Sequence, residues 1–322
     1  MKAAVLHATG RPPRCEEFTE PAANGNEVLV HVRAAALKPL DKQMASGSHY
    51  ASYREFPAVC GTDGVGQSDD GTRVFFAGPR PPFGTMADRT VVHRARCFRL
   101  PDTISDDIAA AVVNPGLSAW GSLVWRAQLV PGETVLILGA TGVTGKLAIQ
   151  TAKLLGATRV VAAGRNAQSL ETLRKLGADA TILIGTSGQE LTDAFAREAR
   201  VAPFNVILDY LWGAPTEALL AAITRKDLQP SETRVRLVEV GESAGPTISL
   251  RGGTLRSSRL EILGAGTGSA PTSPEVWKEA LAELLDNVMK GSLCIDTVRI
   301  PLADVEDAWP RDYQGRRAVL IP

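Results

Sequence analysis

The spacing of apolar and polar residues changes along the chain. From residue 1 to about 110, short β-type runs, such as those at 27–32 and 73–76, are separated by glycine and proline. This pattern is typical of a β-rich domain. From about 113 to 264, continuous apolar runs alternate with helix-like stretches. Such runs predict a parallel sheet that is covered by helices on both faces.

The second region predicts a regular succession of elements. We expect strands at 134–138, 159–163, 180–183, 206–209, 235–240 and 260–263, and helices at 143–155 and 169–176. An amphipathic helix is then expected at 274–289, followed by strands at 297–300 and 318–321. The strand at 260–263 is the expected edge of the sheet, and an exposed edge strand tends to pair. We therefore predict a homodimer joined through this edge.

Composition narrows the class of protein. A chain of 322 residues is too long for one ordinary core, so two domains are expected. Apolar residues make up 44% and charged residues 22%, which excludes disordered and collagen-like chains. The 35 basic and 35 acidic side chains cancel. Binding to a nucleic acid or an anionic membrane needs a net basic face, so neither partner is expected.

Cysteine usage and the first residues indicate a cytoplasmic protein. Cys15, Cys60, Cys97 and Cys294 lie far apart and form no CxxC pair. Reduced thiols are therefore expected rather than a disulfide framework. The first apolar run is too short for a signal peptide. No run approaches the roughly 18 apolar residues that a membrane span needs.

A glycine-rich turn, Gly-Ala-Thr-Gly-Val-Thr-Gly at 139–145, follows a predicted strand and opens a predicted helix. Small residues let a diphosphate approach the backbone, and the helix N-terminus offers unpaired N–H groups and a positive dipole end. The spacing is GxxGxxG rather than GxGxxG, but the strand–turn–helix context favours dinucleotide binding over a plain glycine-rich turn. We assign to the cofactor site Gly139, Thr141, Gly142, Val143, Thr144 and Gly145.

The residues after the second strand of this unit distinguish NADPH from NADH. An NAD-dependent enzyme usually has Asp or Glu here, which binds the ribose hydroxyls. This chain has Gly164, Arg165 and Asn166. No carboxylate is present to repel a 2′-phosphate, and the guanidinium of Arg165 is suited to binding one. The alternative is a solvated surface arginine. We predict that the cofactor is NADPH.

Several motifs occur in the order found in the medium-chain dehydrogenase/reductases. They are VLVHV at 28–32, KPLD at 38–41, GTDGVG at 61–66, NPGLSAW at 114–120, the glycine turn, DYLWG at 209–213 and PLADV at 301–305. Over essentially its whole length the chain resembles the zinc-free quinone oxidoreductase branch of that superfamily. The resemblance implies an α/β protein with a GroES-like β domain at 1–112, completed by 265–322. A Rossmann domain with a doubly wound parallel sheet is expected at 113–264.

The resemblance also bears on metal binding. Zinc alcohol dehydrogenases hold catalytic zinc with a Cys, a His in a GHE motif and a second Cys. The matching positions here are Lys38, Thr62 and about Pro115. These residue types do not form such a site, and the cysteine-rich lobe that carries structural zinc is missing. We therefore expect no metal. Many members of the branch have Asn where this chain has Lys38.

Candidate catalytic residues follow from the resemblance. Without a metal, hydride transfer needs a donor or a positive charge near the oxygen that gains electron density. The ammonium of Lys38 would lie where zinc sits in the metal enzymes; the alternative is a lysine that reaches solvent or Asp41. His49 and Tyr50 lie on the segment that shapes the substrate pocket, as donors to a substrate oxygen or as wall residues. Further cofactor contacts are implied at Thr62, Ser118, Val240, Gly241, Gly264 and Gly266.

These features leave more than one function open. The first hypothesis is an NADPH-dependent reductase of quinones or of α,β-unsaturated carbonyls, two substrate classes that share an electron-poor conjugated carbonyl. The second is a non-catalytic NADPH-binding protein, as some relatives of the branch act as crystallins. Zero net charge disfavours RNA binding, and the missing ligands disfavour a zinc alcohol dehydrogenase.

Overall fold

The computed structural model describes residues 1–185, 188–225, 227–229 and 231–322. Its strands are β1 (Lys2–Leu6), β2 (Arg14–Glu17), β3 (Glu27–Ala36), β4 (Ala58–Val59), β5 (Asp63–Ser68), β6 (Arg73–Ala77), β7 (Arg89–His93), β8 (Cys97–Arg99), β9 (Thr134–Leu138), β10 (Arg159–Gly164), β11 (Ala180–Leu183), β12 (Val206–Asp209), β13 (Val235–Glu239), β14 (Leu260–Gly264), β15 (Thr297–Pro301) and β16 (Arg317–Ile321). Its α-helices are α1 (Pro39–Ser46), α2 (Asp106–Gly121), α3 (Val143–Leu154), α4 (Ala167–Leu173), α5 (Gly188–Val201), α6 (Gly213–Ile223), α7 (Gly252–Ser257), α8 (Pro274–Met289) and α9 (Val305–Ala308).

The chain divides into two compact units. The first consists of Met1–Asn114 and Ile295–Pro322, and the second of Pro115–Cys294. The second boundary differs from the expected return at residue 265, because residues 265–294 belong to the second unit. The expected fold class, an antiparallel β domain and a parallel Rossmann-like sheet, is confirmed.

Contacts of α8 explain why this segment stays with the second unit. Its Leu284 is fully buried and lies against Gly116, where a Cβ would come within 2.7 Å of a Leu284 methyl carbon. Just after α8, the backbone N–H of Cys294 donates to the side-chain oxygen of Gln150 at 2.8 Å, and the Gln150 amide donates to the Cys294 carbonyl at 3.1 Å. Periodicity predicts such a helix correctly but does not say which sheet or helix covers its apolar face.

The first unit is built mainly on antiparallel pairing, and β15 and β16 pair in parallel. One sheet has the order β15-β16-β3-β5-β6-β8, with β7 also paired to β3, and a smaller sheet has the order β2-β1-β4. The long strand β3 buries alternate side chains, Val28, Val30 and Val32, while His31 between them is exposed. This alternation is the period of a half-buried strand. The segment that follows β3 enters α1 through Lys38 and Pro39, and these residues lead into the first candidate site.

The second unit contains a six-stranded parallel sheet of order β11-β10-β9-β12-β13-β14. Every residue of β9 and β12 is buried, as the continuous apolar runs predicted for a sheet covered on both faces. Strand β14 forms one edge and pairs only with β13 along this path. In a parallel sheet all strands end on one side, and ligands bind at this carboxyl edge.

The segment Asp106–Arg126, which is α2 with a π-helical turn after it, is long and apolar enough to cross a membrane by length and composition. The sequence was not expected to contain such a stretch. The buried share of its most apolar window is 67%, which is the pattern of a helix in a protein core. The boundary between the two units falls within this helix, between Asn114 and Pro115.

Candidate functional site

The glycine turn at 139–145 lies at the carboxyl edge of the parallel sheet, at the end of β9. Gly139 has φ +84°, a left-handed conformation that suits glycine, and its N–H donates to the Ala163 carbonyl at 3.0 Å. The Gly142 N–H donates back to the Gly139 carbonyl at 3.1 Å. Helix α3 begins after Gly142, which provides no side-chain cap. The first N–H groups of α3, which include those of Val143 and Thr144, are therefore available to an anion.

Gly145 brings α3 close to this turn. A Cβ at Gly145 would lie 2.5 Å from the Gly139 carbonyl oxygen and 2.6 Å from the Ala140 Cα, so any larger residue would push the helix away from the turn. The backbone thus forms a narrow cradle with free amides and a positive helix end, and a dinucleotide diphosphate fits this cradle.

The end of β10 carries the residues expected to select the cofactor. A Cβ at Gly164 would lie 2.6 Å from the Thr141 methyl carbon, so β10 and the glycine turn are in close contact here. The next residue, Arg165, is exposed, and none of the described residues forms an ion pair or hydrogen bond with it. The Asn166 side chain accepts from the Ser169 N–H at 2.9 Å and caps α4. An exposed guanidinium without a partner among the described residues therefore lies at the position predicted to contact a 2′-phosphate.

Three neighbouring strand ends complete this edge. After β13, the N–H groups of Val240 and Gly241 donate to the Asp209 carbonyl at 2.8 and 3.2 Å. Gly264 ends β14, and its carbonyl accepts from Arg126 Nε at 2.8 Å. Gly266 immediately precedes a short 3₁₀ turn at Thr267–Ser269. The parallel sheet therefore brings to one side the ends of β9, β10, β13 and β14, at which cofactor residues are predicted.

Ser118 and Thr62 lie away from these strand ends along the chain. Ser118 is in α2, where its carbonyl accepts from the Ser122 hydroxyl at 2.7 Å. Thr62 lies in the first unit, next to the charged residues described below.

A buried group of charged side chains lies in the first unit. Lys38 is 2% exposed, and its Nζ lies 3.0 Å from Asp63 Oδ2 and 3.4 Å from Asp41 Oδ2. It also donates to the Ala36 carbonyl at 3.3 Å. Arg317 of β16 is buried too and donates to the Leu37 carbonyl at 3.0 Å. Lys38 does not reach solvent: its ammonium is enclosed by carboxylates.

Two polar side chains connect this group to less buried surroundings. The Thr62 hydroxyl lies 3.1 Å from Asp63 Oδ2 and 3.4 Å from Asp41 Oδ1, and it donates to one of them at a time. The Asn114 amide donates to Asp63 Oδ2 at 3.3 Å. The other Asp63 oxygen, Oδ1, is buried and has no partner among the residues described. We call Lys38, Asp41, Asp63, Arg317 and Thr62 the buried charge cluster.

Opposing effects set the protonation of the cluster. Burial disfavours the charged form of Lys38, but the charges of Asp41 and Asp63 outweigh it and raise the pKa of Lys38 above its ordinary value. Burial raises the pKa of Asp41, and the charge of Lys38 opposes that rise. Burial also lowers the pKa of Arg317, against the effect of the two carboxylates. Two cations facing two carboxylates give a group with no net charge when all four are ionised.

The other two catalytic candidates lie on a surface loop after α1. The His49 and Tyr50 rings are 4.0 Å apart between centroids and tilted by 33°, and Tyr50 is 75% exposed. His49 Nδ1 accepts from the Ala51 N–H at 3.1 Å, so that nitrogen is engaged by its own loop. The structure does not bring His49 or Tyr50 into the buried charge cluster.

Sequence reasoning missed two members of this cluster. Asp63 was noted only as part of a motif, and Arg317 was not singled out. Asp63 opens β5 and is itself buried, a placement that the structure shows and the motif at 61–66 alone does not. Nothing local marks Arg317, whose contact with Leu37 spans 280 residues of sequence.

The residues at the expected zinc position do not fit that metal. The side chains here are an ammonium and a hydroxyl, not thiolate or imidazole ligands. The Lys38 charge already occupies the space between Asp41 and Asp63. Among the residues that the structure describes, no three or more His, Cys, Asp or Glu side chains are grouped to hold a metal ion.

Comparison with known proteins identifies relatives in sequence. A profile described as "Zinc-binding dehydrogenase" matches residues 143–286. A quinone oxidoreductase of Pseudomonas aeruginosa is 27% identical over 94% of each chain. A probable NADPH-dependent quinone reductase of Emericella nidulans is 27% identical over 76% of this chain and 68% of its own length. For two further relatives, this chain spans 58% and 15% of the relative's own length.

Structural comparison agrees in fold. The crystal structure of Escherichia coli quinone oxidoreductase complexed with NADPH superposes with a TM-score of 0.86, covers 100% of both chains and is 24% identical. The order of motifs along the chain, the parallel sheet with its glycine turn and these relatives agree with one another. The chain is thus similar in sequence to quinone oxidoreductases of the medium-chain dehydrogenase/reductase superfamily, and it shares their fold.

Proposed function

We propose that this protein is an NADPH-dependent, zinc-independent reductase of quinones or related conjugated carbonyls. The observation that carries the proposal is the end of β10. There Gly164 contacts Thr141, no carboxylate is present, and the guanidinium of Arg165 is exposed and unpaired among the described residues. The names of the Pseudomonas and Emericella relatives support the substrate class, and the NADPH complex of the Escherichia coli enzyme supports the cofactor.

The chain's own residues divide the task of holding the cofactor. The first amides of α3 bind the diphosphate, helped by the positive end of the helix. Arg165 forms a charge-assisted hydrogen bond with the 2′-phosphate. Asn166 keeps α4 capped and so fixes the loop that carries Arg165. Bound NADPH supplies the hydride.

In the first unit, the buried charge cluster acts on a substrate oxygen through its least buried members. Lys38 is enclosed by Asp41 and Asp63, so its part is to hold both carboxylates and, through them, the Thr62 hydroxyl. We therefore treat Lys38 as a positioning residue. The half-buried His49 and the exposed Tyr50 supply hydrogen-bond donors to the substrate oxygen that gains electron density.

The protein works as a cytoplasmic homodimer in this proposal. The open edge of β14 supports the dimer, because an unpaired strand edge is a surface for pairing with a second copy. The balanced charge of the chain, with 35 basic and 35 acidic residues, supports a small-molecule substrate rather than a nucleic acid or a membrane.

Exchange of Arg165 for alanine tests the cofactor assignment. A charge-assisted hydrogen bond contributes about 1.5–3 kcal/mol, and partial exposure and salt keep the effect near the lower end. NADPH binding should therefore weaken about tenfold or somewhat more, and NADH binding should change little. Arg200→Ala, which removes another exposed arginine of the same unit, is the matched control and should alter neither affinity. Equal losses for NADH and NADPH would show that Arg165 supports its loop instead.

The activity is tested by following NADPH oxidation with an ortho-quinone and, separately, with a simple enone. Oxidation with either substrate supports the reductase. If NADPH binds tightly but neither substrate is reduced, the protein is a non-catalytic NADPH-binding protein.

A further inference from the structure

Trp212 holds a backbone conformation that glycine ordinarily adopts. Its φ is 54° and its ψ is −163°, a region that is strained for any residue with a side chain. Gly213 follows with φ 62°. A glycine at position 212 would make the same connection between β12 and α6 without strain. The protein therefore has a large indole side chain at a position where the backbone conformation favours a residue without a side chain.

The segment that carries Trp212 lies beside the glycine turn. Strand β12 is the direct neighbour of β9, with Asp209 opposite Leu138. A Cβ on Gly139 would lie 3.2 Å from both the Tyr210 Cβ and a Leu211 methyl carbon. Trp212 is the next residue along this segment, on the carboxyl edge where a parallel sheet binds its ligand.

The connection itself is held firmly by Asp209. Its buried carboxylate accepts from the N–H groups of Leu211 and Trp212, each at 2.9 Å, and from the Thr216 hydroxyl at 2.5 Å. The indole of Trp212, in contrast, is only partly buried against the core of this unit. Its Nε1 donor has no hydrogen-bond partner in the part of the chain that the structure describes. The backbone is fixed, while part of the indole surface stays exposed and its donor has no partner among the described residues.

We propose that Trp212 contacts the bound dinucleotide, with its ring against the cofactor and its Nε1–H donating to a cofactor oxygen. This inference rests on the proposed binding of NADPH at the glycine turn. It explains why the strained conformation is kept, because strain of this kind persists where a ligand contact requires it. Packing against the core alone leaves the exposed part of the indole and its unpartnered donor without a role.

The test compares NADPH binding by the full-length wild type, Trp212→Gly, Trp212→Phe and Gln128→Gly. Gln128 is exposed, lies in the same unit and also has a positive φ, of 51°, so it is the matched control for placing glycine at such a position. Trp212→Gly should bind NADPH about tenfold more weakly, and Gln128→Gly should bind it as the wild type does. Trp212→Phe, which keeps a ring but loses the donor, should lie between wild type and Trp212→Gly. Wild-type affinity in Trp212→Gly would overturn the proposal.

A second readout is independent of whether the glycine variant folds. NADP⁺ should quench part of the tryptophan emission of the wild type by contact with Trp212, and this part should be absent in Trp212→Phe. The same fractional quenching in both proteins would overturn the proposal. Failure of the wild type to bind NADPH would remove the proposed function and this inference together. Wild-type binding with no change in the Trp212 variants would remove the inference alone.

Discussion

Replacing Lys38 by methionine separates charge from volume in the buried charge cluster. Methionine is unbranched and of similar length, so it fills most of the same space without the ammonium. In the wild type, Lys38 and Arg317 face Asp41 and Asp63. In the variant, one cation faces two carboxylates, and each carboxylate loses a partner that lies within 3.4 Å.

The expected loss of stability is large because these groups are almost inaccessible to water. Removing one partner of a buried ion pair costs about 3–5 kcal/mol, since the remaining charge is left without compensation. At ~2–4 °C per kcal/mol, as for domains of comparable size, the unfolding temperature should fall by about 6–20 °C. Lys42→Met is the matched control: Lys42 lies in α1, just after Lys38, and the one described group to which its side chain donates is the exposed Arg311 carbonyl, at 3.4 Å. That variant should unfold within about 2 °C of the wild type.

The loss should also depend on pH, with a sign set by Asp41. Burial raises the pKa of Asp41 above its unfolded value, and Lys38 opposes the rise, so removal of Lys38 raises this pKa further. A folded-state pKa above the unfolded one means that the native state binds protons more tightly, so stability falls as pH rises through that window. As the pH falls, Asp41 of the variant takes up a proton at a higher pH than Asp41 of the wild type does, and it becomes neutral. The deficit of Lys38→Met relative to wild type should therefore be smaller at pH 5 than at pH 8.

Lys38 itself contributes to stability in a different pH range from Asp41. Its pKa is raised above the unfolded value, so its stabilising charge is fully present below pH 10 and is lost only above its folded-state pKa. The wild type should consequently show no loss of the Lys38 contribution between pH 5 and pH 8.

Thermal and urea unfolding of the full chain at both pH values measure these effects. The double variant Lys38→Met/Asp63→Asn, which restores the balance of charge, should recover about 1–3 kcal/mol of the loss. If Lys38→Met were as stable as wild type, or if the two substitutions were simply additive, the cluster would not be held together by charge. An equal deficit at pH 5 and pH 8 would contradict the role given to Asp41.

Three further predictions concern the second unit, the assembly and the metal. Gly164→Ala should weaken NADPH binding, because its Cβ would lie 2.6 Å from the Thr141 methyl carbon, and adding Thr141→Ser, which removes that methyl, should restore much of the binding in cofactor titrations. Light scattering at micromolar concentration should give the mass of a dimer, and Ile262→Lys, placed on edge strand β14, should shift it toward the mass of a monomer of 34.2 kDa. Elemental analysis should find no stoichiometric zinc, and chelators should leave activity unchanged; about one zinc per chain would contradict the position of Lys38 between Asp41 and Asp63.

The parallel sheet could be predicted closely from the sequence because its strands are buried on both faces. Strands β9 and β12 have the expected bounds, every residue in them is buried, and their runs contain almost no polar interruption. The edge strand β11 also has the expected bounds, although it is less buried. Helix α2 was harder, since Pro115 lies inside it and proline usually ends a helix. The helix at 274–289 was predicted correctly, yet its packing against α2 was not, because an apolar stripe does not name its partner.

In the candidate site, too, local features could be predicted from the sequence and long-range contacts could not. Gly139 and Gly145 could be assigned from local spacing, since a turn and a helix start are encoded by consecutive residues. The environment of Lys38 could not be derived in this way, because Asp63 and Arg317 reach it from distant parts of the chain. The strain at Trp212 likewise depends on how Asp209 holds the preceding turn, which the sequence does not show.

The division of the first unit into two segments has a consequence for the order in which the protein matures during synthesis. Pro115–Cys294 forms a continuous unit and emerges from the ribosome before Ile295–Pro322 does. The earlier part of the first unit cannot complete its sheet until β16 has been synthesised, because β16 pairs with β3 at Ala35 and Ala36. Until Arg317 arrives, Asp41 and Asp63 have Lys38 as their only partner cation in the cluster. Before the last segment is synthesised, the nascent first segment therefore has an unpaired sheet edge and two carboxylates that face a single cation. During this interval it can bind chaperones or misassemble.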